Sequence, residues 1–88
     1  MTGKACGEFE QLFAKLLEQK IRQGAQRDTA LVKESYDSAS SALSLLETKA
    51  DPLHINDIAA TLAGRENELM TLGSQRAQRL IFDLVYMH

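Results

Sequence analysis

Pro52 is the sole proline of this 88-residue chain and directly follows Asp51. No other feature limits the fold as much. Proline disfavours helical backbone at the residue before it, so a helix arriving from the N-terminal side ends near Lys49 or Ala50. Asp51 is a good N-cap and Pro52 suits a first helical position, so a new helix starts at the same place. Two long helices joined by so few residues fold back on one another. The expectation is an all-α chain forming an antiparallel helical hairpin.

Periodicity fills in the two arms. From Glu8 to Gln23, apolar residues fall at Phe9, Leu12, Phe13, Leu16, Leu17 and Ile21, the three-and-four spacing of one helix face. The stretch from Gly24 to Thr29 is the weakest helical segment of this half. The chain breaks, kinks or runs through there at a cost of ~1 kcal/mol for the glycine, so the first arm is open to a split near Gly24–Asp28. From Thr29 onward, Val32, Tyr36, Ala39, Leu43, Leu46 and Ala50 form a heptad seam. Ser35, Ser38, Ser40, Ser41 and Ser44 read as a solvated helix face. The second arm is expected to run unbroken from Pro52 to the end of the chain. Ile55, Ala59, Leu62, Leu69, Gly73, Ala77, Leu80 and Leu84 lie on one seam, which Gly64 and Gly73 weaken locally.

Composition bounds the function. With 44% apolar and 25% charged residues but only 6% aromatic and no tryptophan, residues 1–88 suit one small helical domain. A chain this short leaves no room for a deep cofactor cleft. A net charge of −2 offers no basic excess for nucleic acid or an anionic membrane. No apolar run approaches the ~18 residues of a membrane span. No targeting segment is visible, so a cytoplasmic location is the default. Cys6 is the single cysteine and cannot form an intrachain disulfide; it falls in residues 1–7, read as a disordered N-terminus. His54 and His88 belong to no HxxxH pair and no CxxC is present, so no metal, cofactor, small-molecule substrate or catalytic group is expected. His54 reads as a surface or capping residue. The chain is not expected to be an enzyme. Asp57–Gly64 is superficially like the start of a helix-turn-helix, which makes a small DNA-binding regulator the alternative. However, Glu66 and Glu68 then stand where phosphates would be met.

The tail from Leu80 to Met87 carries apolar residues on more than one face, more than a two-helix hairpin can cover. The excess points to self-association or to a partner helix held on Leu69, Leu72, Leu80, Ile81, Leu84, Val85 and Tyr86. The expected function is a non-enzymatic protein–protein interaction module.

Three features carry a resemblance. The Asp51-Pro52 turn between two helices is similar to that of needle and inner-rod subunits of bacterial type III secretion systems. Ile81-Phe82-Asp83-Leu84-Val85 resembles the Ile-x-Asp-Leu-Val near the end of some needle subunits. The apolar, Tyr-containing end Ala77–His88 is also similar to the second helix of the small co-chaperones that keep needle subunits soluble. The resemblance implies a helical hairpin over Glu8–His88 acting as a small secretion chaperone or apparatus subunit. It also implies a secreted or apparatus-associated location if the chain is a needle or rod subunit.

Overall fold

The computed structural model describes residues 3–88, and every regular element among them is helical. Helix α1 spans Gly3–Arg22, α2 Asp28–Leu46, α3 Pro52–Gly64, α4 Glu66–Met70 and α5 Ser74–Tyr86. The all-α expectation therefore holds, but the two-helix hairpin does not describe the packing.

The first arm is split where the sequence weakens. Gly24 adopts φ 109°, a left-handed conformation that favours glycine. Its N–H donates to Ile21 O at 3.0 Å, and Ala25 N donates to Lys20 O at 3.1 Å. This pair of bonds satisfies the last carbonyls of α1 and stops the helix. Lys20 and Arg22 occupy the last turn of α1 and Asp28 the first turn of α2, so both helix dipoles are opposed by charge. Lys20 Nζ lies 3.9 Å from Glu34 Oε2 across the connection, as expected for helices folding back on each other.

The start of α3 forms as Asp51 and Pro52 dictate, whereas α2 ends at Leu46 rather than near Lys49 or Ala50. Asp51 Oδ1 accepts a hydrogen bond from Leu53 N at 3.0 Å, and Pro52 sits in the first turn of α3. The second arm, however, is three helices rather than one. An unbroken helix from Pro52 to His88 would be about 55 Å long at 1.5 Å per residue, whereas the longest dimension of the molecule is 34 Å. The breaks fall at Gly64-Arg65 and at Leu72-Gly73, beside the two glycines of that arm. Glycine lowers the cost of leaving the helix, and burial of the tail against α1 and α2 supplies the reason to leave it.

Helix α2 is the centre of the bundle and packs against all four other helices. Its seam residues Val32, Ala39, Leu43 and Leu46 are buried, and so is a neighbouring row of Ser35, Ser38 and Ala42. The solvated face expected for the serines is thus corrected at Ser35 and Ser38. Two arms need only one face of α2, but a five-helix bundle covers a second. Ser35 Oγ donates to Leu31 O at 2.6 Å, while Ser38 Oγ is buried without a hydrogen-bond partner among the described residues.

The disordered segment expected over residues 1–7 is likewise revised. Helix α1 already begins at Gly3, and Cys6 is buried. Met1 and Thr2 lie outside the described residues.

Candidate functional site

The residues expected to hold a partner fall into three groups. Leu69, Ile81 and Val85 are fully buried in the chain's own core. Leu72, Leu80 and Leu84 are half-buried and packed against that core. Tyr86 alone is substantially open, at 46% exposure. The row is therefore an internal seam and offers no free groove. The apolar surface of the tail from Leu80 to Val85 is largely covered by helices of the same chain, whereas Tyr86 and Met87 stay exposed.

Aromatic packing shows how the tail is covered. Phe82 of α5 meets the ring of Phe13 edge-on at a centroid distance of 5.2 Å and that of Phe9 at 6.1 Å. Phe9 and Phe13 stack at 5.7 Å on α1, and Tyr86 stacks on Phe82 at 6.0 Å. The Tyr86 hydroxyl donates to Glu10 Oε2 at 3.0 Å, tying the end of α5 to α1. Desolvation against the bundle raises the Tyr86 phenol above its ordinary value, and the Glu10 carboxylate adds to the rise.

At the same end of the bundle, the start of α1, the α2–α3 connection, the start of α3 and the residue beyond α5 surround a cleft of about 740 Å³. Lys4, Glu8, Lys49, Asp51, His54 and His88 line it. The His54 and His88 rings meet edge-to-face with centroids 6.0 Å apart, and His88 Nδ1 lies 3.6 Å from Asp57 Oδ2. His54 Nε2 is buried and has no hydrogen-bond partner among the described residues. His54, expected as a surface or capping residue, is thus half-buried against His88, just beyond the end of α5. The two histidines are 34 positions apart, and no spacing rule could have joined them. No group of three or more His, Cys, Asp or Glu side chains among the described residues is placed to hold a metal ion.

Large apolar side chains remain exposed beside this end. Met87 is 85% exposed and Leu53 79%, and they are the chain neighbours of His88 and His54 respectively. Leu45, near the end of α2, is 52% exposed. Periodicity misses Leu53 and Met87 because each sits within a turn of a helix end, where seam position predicts burial poorly.

A second link joins distant parts of the chain. Asp28 Oδ1 accepts from Ser74 N at 2.9 Å, so the first residue of α2 caps the start of α5. The hydroxyl and then the backbone N–H of Ser74 hold the Asp28 carboxyl below its ordinary value.

The Asp57–Gly64 segment ends α3, and only Arg65 separates it from the five-residue α4. A helix-turn-helix places three or four residues there. Arg65 is moreover paired with Glu68, which raises the guanidinium above its ordinary value and lowers the carboxyl. No helix among the described residues is long and apolar enough to cross a membrane.

No family model, curated protein or solved structure matches this chain.

Proposed function

We propose that this chain is a non-enzymatic protein–protein interaction module that packs an amphipathic helix of a partner, at the bundle end carrying Leu53 and Met87. The observation that supports this reading is the exposure of these two side chains, 79% and 85%, beside the contact that joins α3 to the end of α5. Each leaves apolar surface in water that a partner helix would bury. The resemblance in the Asp51-Pro52 turn and in Ile81–Val85 makes a small type III secretion chaperone or apparatus subunit the most concrete form of the proposal. The internal row from Leu69 to Val85 then serves to hold the module together, and the partner meets the rim.

The double change Leu53→Asp with Met87→Asp tests it. Each apolar side chain is worth about 1.5–3 kcal/mol when fully desolvated, so losing both weakens a complex by about a hundredfold or more. Sedimentation of the protein alone and with purified products of adjacent genes measures association. Circular dichroism on the same samples checks that the fold survives. A wild-type protein that stays monomeric and ignores every such helical product overturns the proposal. A salt-dependent shift on DNA would instead favour a regulator.

A further inference from the structure

Helix α5 hangs on a hinge whose backbone is close to helical. Thr71 keeps right-handed helical backbone just beyond α4, and Gly73 has φ −71°, within the helical range; its ψ of 162° is the torsion that departs. No proline separates α4 from α5. In a helix continued through Gly73, the N–H groups of residues 73–76 would each bond to a carbonyl four residues back. In the bent chain only the Ser74 N–H of that set has an acceptor among the described residues, Asp28 Oδ1 at 2.9 Å. Gly73 supplies no side-chain cap, so the start of α5 depends on a carboxylate 46 positions away. What holds the bend is burial: Ala77, Ile81 and Val85 enter the core, and Phe82 meets Phe9 and Phe13.

We propose that α5 exchanges between two copies of this chain, each copy's α5 taking the place of the other's against α1 and α2. A second copy's α5 carries the same residues, so the burial of Ala77, Ile81, Phe82 and Val85 is reproduced in the dimer. The hinge itself gains. With α4 and α5 drawn out as one helix, residues 73–76 recover their backbone acceptors, and the Asp28 cap is no longer needed. A connection as short as residues 71–73 sets the bend and the continued helix in direct competition. Against the exchange stands the lost freedom of two associating chains, which is offset as protein concentration rises. The exchange rests on the hinge and not on Leu53 or Met87, so it is independent of the interaction proposed above.

The test is sedimentation of the full chain over a wide range of concentrations, with circular dichroism on the same samples to check folding. The wild type forms a dimer as concentration rises. Gly73→Pro keeps the bend, since φ −71° suits proline and the Gly73 N–H has no acceptor to lose. It blocks the continued helix in both chains, so the dimer association constant falls by about a thousandfold or more. Asp28→Ala removes a cap that only the bent chain needs and raises that constant by about tenfold. This second variant decides the matter if Gly73→Pro fails to fold. Leu53→Asp with Met87→Asp leaves the exchanged dimer in place, whereas it breaks an association through the rim. A chain that stays monomeric at every concentration, with or without Asp28→Ala, overturns the exchange. So does a dimer that withstands Gly73→Pro, one whose association constant Asp28→Ala leaves unchanged, or one lost with Leu53 and Met87.

Discussion

Replacing Ile81 by alanine separates two roles for the C-terminal helix. Ile81 is fully buried, in one core cluster with Phe9, Phe13, Leu43 and Leu69. Truncating such a side chain removes its transfer free energy and leaves a cavity, a loss of about 2–5 kcal/mol. A domain of this size holds roughly 4–13 kcal/mol in total, at 0.05–0.15 kcal/mol per residue. Each kcal/mol moves the melting temperature by about 4–8 °C. A loss of about 3 kcal/mol therefore lowers Tm by about 12–24 °C. Leu53→Ala is the matched control. At 79% exposure, it should change stability by no more than about 0.5 kcal/mol. Thermal unfolding followed by circular dichroism, at dilution low enough to exclude association, measures both. Were Ile81 part of a partner-facing groove, its truncation would spare the monomer and weaken only association. A Tm drop below about 4 °C for Ile81→Ala would refute the five-helix core.

Three further outcomes follow from named contacts. Gly24→Ala places a side chain at φ 109°, so it destabilises by about 1–3 kcal/mol even though the space around it is open; denaturant unfolding measures this. Ser38→Ala removes a buried hydroxyl with no partner among the described residues and should stabilise by about 1 kcal/mol, whereas a loss of stability would reveal a missed hydrogen bond. Asp28 has a carboxyl held below its ordinary value by Ser74. Its contribution is therefore complete above the ordinary carboxylate range and disappears as pH falls through the lower folded value. Asp28→Asn should flatten that part of the acid limb of the stability curve, and an unchanged limb would show that the Ser74 contact is not formed in solution.

The sequence by itself determined the helical class, the buried faces of α1 and α2 and the start of α3. Three-and-four spacing marks Phe9, Phe13 and Leu17 on one arm and Val32, Ala39, Leu43 and Leu46 on the next, and all seven are buried. Although α2 ends earlier, at Leu46, Asp51-Pro52 starts α3 through a bond between residues two apart, so local chemistry is sufficient there. Gly24 stops α1 for the same reason: only a left-handed residue lets the last carbonyls find donors.

What the tertiary structure decided is where the tail goes. Periodicity identifies the faces of Leu69, Ile81 and Val85 as apolar but says nothing about whether this chain or another covers them. The bends at Gly64-Arg65 and Leu72-Gly73 are low-cost in the sequence, but they form because folding α5 back buries Phe82 against Phe9 and Phe13. The same bends put Asp28 under the start of α5 and His88 beside His54, pairs separated by 46 and 34 positions. Contacts of that range depend on how five helices share one core. Hydrophobic burial is non-directional, so the pattern along each helix says that a face is buried but not against which partner.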